Sequence, residues 1–89
     1  MISREITIQN KLGLHARAAA KLVTTAGSYR AQVFLDKDGQ RVNGKSIMGV
    51  MMLAACQGSR LTLSADGDDA EAALEALVCL IDDRFGEGA

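Results

Sequence analysis

The longest regular pattern in the sequence lies near its end. Ala70, Ala73, Leu74, Leu77, Val78 and Ile81 recur at helical spacing, and the pattern runs through to Phe85. A helix with one apolar face must lay it against something. The segments able to receive it are short and alternate apolar with polar residues, as strands with one wet face do. Glu5–Ile8 sets Ile6 and Ile8 against Glu5 and Thr7. Leu61–Ala65 sets Leu61, Leu63 and Ala65 against Thr62 and Ser64. Gln32–Asp36, with Val33 and Leu35 on one face, and Gln40–Val42 flank Asp38-Gly39. That pair signals a hairpin whose two central residues take positive φ. Two more helices are expected. One is Ala16–Ala26, with Ala16, Ala19, Ala20 and Val23 as its stripe; the other is Ile47–Ala55, capped by Ser46. Gly27 and Gly86 stand where helices stop, and Asp68 with Glu71 forms a capping box of looser type before the last helix. The order β-α-β-β-α-β-α predicts an α+β chain: an antiparallel sheet with one wet face and helices on the other, an open-faced two-layer sandwich.

A chain of 89 residues is expected to make one domain, 1–89, with no linker and no proline. Ten Lys+Arg against eleven Asp+Glu give a net charge of −1, and aromatics are 3%. Nucleic-acid binders usually carry a basic excess or stacking platforms, so no nucleic acid is expected as a partner. Two cysteines make no disulfide framework. Cys56 and Cys79, in or near apolar helical segments, are expected to be buried free thiols. Met1-Ile2-Ser3-Arg4-Glu5 lacks a charged-then-apolar signal pattern, and no apolar run is long enough to cross a bilayer. A cytoplasmic protein without membrane insertion is expected. One histidine, no CxxC and no HExxH predict no metal and no cofactor.

The chemistry concentrates in Lys11-Leu12-Gly13-Leu14-His15-Ala16-Arg17. On position alone, a lone histidine at a helix start is a cap or surface residue more often than a reactive one. Its neighbours shift that balance. A helix N-terminus presents unpaired N–H groups and attracts anions. Arg17 adds a permanent charge suited to phosphate, and Gly13 permits close backbone approach. The same positive end disfavours a protonated imidazole, which leaves a nucleophilic nitrogen free. No second base or carboxylate lies in the segment. The site is equipped to carry a phosphoryl group and poorly equipped to turn one over alone.

Ile8-Gln9-Asn10-Lys11-Leu12-Gly13-Leu14-His15-Ala16-Arg17 resembles the phosphorylation-site signature of the HPr family, the histidine-containing phosphocarriers of the bacterial phosphoenolpyruvate-dependent phosphotransferase system. Lys45-Ser46-Ile47-Met48-Gly49-Val50-Met51 resembles that family's second signature, around its regulatory serine. The resemblance covers nearly the whole chain. It implies four antiparallel strands covered on one face by three helices. It implies a stoichiometric carrier, not an enzyme. His15 accepts a phosphoryl group on Nδ1 from phosphorylated Enzyme I and passes it to a histidine of an EIIA domain. Arg17 and Ala16 stabilise the phosphate. Ser46 is the target of an HPr kinase/phosphorylase where that regulator exists. The alternative is a mainly regulatory interaction protein of a nitrogen-related or incomplete phosphotransferase system, controlled through Ser46; the intact His15 and Arg17 argue against that as the sole role. A small ligand-binding domain of ferredoxin-like outline also fits the fold class but gives the His15 segment no purpose.

One position departs from the family pattern: Ala18 stands where a proline usually follows the arginine. Alanine serves a first helical turn well, so the fold is expected to survive. The helix Ile47–Ala55 holds more apolar residues than one buried face needs. Val50, Leu53 and Ala54 are expected in the core. Ile47, Met48 and Met51 are expected in a docking patch, where methionine suits a surface that fits several partners. Arg17, Lys21, Lys45 and Arg41 are expected to form a basic rim, with Lys21 also at the docking face. A monomer that leaves each partner quickly fits a carrier's needs.

Overall fold

A computed structural model describes residues 1–88. Its elements are β1 (Ile2–Thr7), α1 (Ala16–Gly27), β2 (Gln32–Lys37), β3 (Gln40–Asn43), α2 (Ile47–Met52), β4 (Arg60–Asp66) and α3 (Ala70–Asp82), followed by a 3-10 turn at Arg84–Gly86. The four strands form one sheet in the order β1-β4-β2-β3, each pair antiparallel. This is the expected open-faced α+β sandwich. Val33 pairs with Ala65 and Leu35 with Leu63, which puts the apolar faces of the two central strands in one row. Leu22, Leu74, Leu77 and Ile81 from α1 and α3 close over that row, and none of them is exposed.

The hairpin forms as the Asp-Gly pair predicts. Asp38 has φ 51° and Gly39 φ 84°, and these turn β2 into β3 without splaying the strands. β1 begins earlier than its alternation suggests. Its first half buries nothing, but it pairs with β4 from Ile2↔Ala65 onward, so the neighbouring strand extends it. Ile8 lies just past the strand, is 1% exposed, and keeps its backbone satisfied through Ser59 and Gly58.

Five local expectations are corrected. α1 buries Ala18, Ala19, Leu22 and Ala26, while Ala16 is exposed. In an alanine-rich helix, Leu22 sets the buried face, because it has the most apolar surface to hide. Gly27 is the last residue of α1 and Ser28 closes it. α2 stops at Met52: Ala54 takes φ 51° and is exposed, whereas Val50 and Leu53 reach the core. The box of Asp68 and Glu71 gives way to Asp69 as N-cap, and its carboxylate is spent elsewhere, on the N–H groups of Arg30 and Ala31 (2.8 Å each). α3 ends at Asp82, before Gly86, because Arg84 and Phe85 turn left-handed and swing the Phe85 ring fully into the core.

The cysteines are also corrected. Cys56 and Cys79 are free but exposed. Cys79 lies two positions beyond buried Leu77, on the opposite side of α3, and Cys56 lies in the turn after α2.

Candidate functional site

His15 is the N-cap of α1, with extended backbone at φ −73° and ψ 178°. The preceding loop holds it there by backbone contacts. Gly13 takes φ +69°, and Leu14, which is buried, donates its N–H to the carbonyl of Ala55 at 2.9 Å. Gly13 thus permits close approach as expected, but to the chain leaving α2. Asn10 is completely buried; its side-chain amide donates to the Gly13 carbonyl at 2.8 Å. The first helical bond of α1 runs from the Ala19 N–H to the His15 carbonyl at 2.8 Å. Ala18 therefore stands ahead of the hydrogen-bond ladder, where alanine and the family's usual proline are equally compatible with the helix.

The imidazole is partly exposed, at 29% of its side chain. Its Nδ1 accepts the backbone N–H of Arg17 at 3.3 Å, so a lone pair points at the start of the helix. Its Nε2 meets the carboxylate of Glu87. Sequence reasoning found no carboxylate near His15, because this one arrives from the far end of the chain. The other oxygen of Glu87 accepts the Asn10 amide at 3.0 Å. That hydrogen bond foremost, and then the bond to His15 and the charges of His15 and Lys21, hold the Glu87 carboxyl below its ordinary value against an opposing desolvation. Lys21 reaches from α1 to the carbonyl of Phe85 at 2.6 Å and ties down the same tail.

Lys11, His15, Ala16, Arg17, Lys21 and Glu87 line one shallow depression. The basic groups beside the histidine are thus Lys11, Arg17 and Lys21. The wider rim is corrected: Arg41 pairs with Asp36 at 3.0 Å and lies over the Phe34 ring, and Lys45 donates to the Tyr29 carbonyl at 2.8 Å. Among the described residues, no group of three or more His, Cys, Asp or Glu side chains is placed to hold a metal ion. Among the described residues, no helix is long and apolar enough to cross a membrane.

Ser46 caps α2, its hydroxyl oxygen accepting the Gly49 N–H at 3.1 Å. Gly49 fits because a Cβ there would lie 3.3 Å from that hydroxyl oxygen, tighter than ordinary contact. α2 packs beside α1 and leaves Ile47, Met48 and Met51 exposed at 45%, 76% and 42%. Met52, 67% exposed, extends the apolar patch and was not anticipated.

Residues 2–83 match the family described as the PTS HPr component phosphorylation site. The chain belongs to the HPr family. The phosphocarrier protein HPr of Cupriavidus necator is 57% identical over 88 residues, covering 99% of each chain. The crystal structure of HPr from Thermoanaerobacter tengcongensis superposes with a TM-score of 0.95 at 52% identity, covering 98% of each chain. HPr relatives are carriers within the phosphotransferase system and not enzymes. The crystal structure of an HPr dimer from Thermoanaerobacter tengcongensis is also similar, with a TM-score of 0.79 at 52% identity, covering 98% of this chain and all of that one. This HPr fold therefore occurs in dimeric assemblies too.

Proposed function

We propose that this HPr-family chain accepts a phosphoryl group on Nδ1 of His15 from phosphorylated Enzyme I and passes it to a histidine of an EIIA domain. The observation that carries the reading is the Nδ1 lone pair at the N-terminus of α1, held by the Arg17 N–H within reach of three basic side chains. A phosphoryl group there meets the positive end of the helix dipole, the backbone at Ala16 and Arg17, and the Arg17 guanidinium. The arrangement provides charge stabilisation for a carried group.

Ile47, Met48 and Met51, with Lys21, supply the docking face. Ser46 lies at the head of that patch, where a phosphate is welcome to the helix start but sets negative charge against an approaching partner. Phosphorylation of Ser46 by an HPr kinase/phosphorylase, in cells that have one, weakens docking to Enzyme I. The working unit is a cytoplasmic monomer; sedimentation equilibrium at micromolar concentration tests that part.

The deciding experiment is intact-mass spectrometry after incubation with phosphoenolpyruvate and Enzyme I, beside a His15→Ala control. Gain of one acid-labile phosphate, absent from the control, is expected. A folded chain that takes up none, while an established HPr is labelled in parallel, overturns the reading.

A further inference from the structure

We infer that Met48, Met51 and Met52 form an oxidation-sensitive site: hydrogen peroxide converts their thioethers to sulfoxides, and the patch so modified no longer supports phosphoryl uptake from phosphorylated Enzyme I at its full rate. The effect on transfer rests on the carrier reading proposed above; the chemistry at sulfur does not.

The placement of sulfur in this molecule carries the inference. Among the described residues, the buried apolar side chains are Ala, Ile, Leu, Val and Phe, and all four methionines are exposed. Both cysteines are exposed as well. No oxidisable sulfur therefore supports the core among the described residues. Three of the four methionines are gathered on α2, a helix of six residues. Met48 has Met51 three positions on and Met52 four, so the three side chains are neighbours on one surface. Ile47 beside them is also exposed but has no group for a peroxide to attack. Ser46 caps the same helix through the Gly49 N–H, and Val50 ties it to the core. Oxidation of the three thioethers thus changes the character of the patch and leaves its support in place.

In the step itself, a lone pair of the methionine sulfur attacks one oxygen of hydrogen peroxide. An S–O bond forms and the O–O bond breaks. The displaced hydroxide takes up the proton shed by the transferred oxygen and leaves as water. Sulfur loses two electrons and the peroxide gains them. The product is a polar, chiral sulfoxide. A partner that covers its oxygen must strip water from a strong acceptor. A thioether loses little on being covered, which suits it to an adaptable apolar surface. Three sulfoxides in the same place make a poor seat for the same partner. Reduction reverses the change: a methionine sulfoxide reductase with a dithiol restores the thioether, the dithiol becoming a disulfide and the oxygen leaving as water.

The test uses the full chain with Cys56→Ser and Cys79→Ser, so that thioethers alone react. Hydrogen peroxide is added, then removed before phosphorylated Enzyme I is supplied. Peptide mass spectrometry is expected to show one added oxygen on each of Met48, Met51 and Met52. The thermal midpoint is expected to move by less than about 4 °C, as for other changes at exposed positions. Phosphoryl uptake is expected to fall roughly tenfold, the scale of a covered polar group left unpaired, and to recover after the reductase and dithiothreitol. A control chain carries Met48→Leu, Met51→Leu and Met52→Leu, which keep the patch apolar without sulfur. Each chain is compared with its own untreated form. The control's uptake is expected to be the same before and after peroxide, although Met1 is still oxidised. Unchanged uptake in a chain oxidised at all three positions would overturn the inference. So would an equal loss in the leucine control, loss of the fold on oxidation, or resistance of the three thioethers to peroxide. An untreated chain that takes up no phosphoryl group overturns the carrier reading instead, and the mass spectra still decide whether the three thioethers are reversibly oxidised.

Discussion

Gly13 lies against the backbone that leaves α2: a Cβ on it would come within 2.5 Å of the Ala55 carbonyl oxygen and 2.8 Å of the Cys56 Cα. This contact, with the bond from Leu14 to the same carbonyl, joins the loop before His15 to the segment that follows α2.

Gly13→Ala therefore combines left-handed backbone, costing about 1–2 kcal/mol, with a clash against main chain that has no side chain to move aside. The variant is expected to lose roughly 2–4 kcal/mol in total. Thermal unfolding followed by circular dichroism should show the midpoint falling by more than about 10 °C. A midpoint within a degree or two of the wild type would mean that the loop is free to move away from Ala55.

Ser46→Ala removes the acceptor of the Gly49 N–H and leaves a short helix uncapped. A loss of about 1 kcal/mol is expected by urea denaturation, with the slope unchanged. Ser46→Asp retains a capping oxygen and should recover most of that stability, while binding Enzyme I more weakly in a titration.

Met48 is the most exposed residue of the apolar patch, at 76%. Met48→Asp should change stability by less than about 0.5 kcal/mol, as exposed substitutions do. It should lower kcat/KM for phosphoryl transfer from Enzyme I by about tenfold, the scale of a lost interface anchor. Loss of the fold would place Met48 in the core instead.

Asp69 accepts two backbone N–H groups, and its carboxyl is held below the ordinary aspartate value, first by the Arg30 N–H. The folded chain thus binds that proton less readily than the unfolded chain. The stabilisation is present above the unfolded value and is lost as pH falls through the lower, folded one. Asp69→Asn should be less stable near neutral pH and should show a flatter fall in stability on acidification. Urea midpoints measured between about pH 2 and pH 7 check both parts.

The order of elements was legible because each strand and helix carried its own period, and the hairpin because Asp38-Gly39 admits few other turns. The phase of α1 was not: alanines offer little contrast between faces, and the stripe drawn through Ala16 and Val23 passed over Leu22. Cys79 could have been placed outside, since its turn angle sets it opposite Leu77. His15 and Arg17 announced their site through local spacing. Glu87 gave no such signal, because its meeting with His15 spans 72 positions and depends on the left-handed turn at Arg84 and Phe85. Lys45 and Arg41 were misjudged for a related reason: sequence gives their charge but not the carbonyl and the carboxylate that occupy them.

The pairing of β1 with β4 also bears on how the molecule is made. Ile2 has its partner in Ala65, and β4 is the strand that joins β1 to the rest of the sheet. A nascent chain on the ribosome holds its first strand without a neighbour until most of its length has emerged. The tail that touches His15 emerges later still. Synthesis consequently completes the histidine's surroundings only near its end: the hairpin and the first two helices can form early, but Glu87 reaches His15 last.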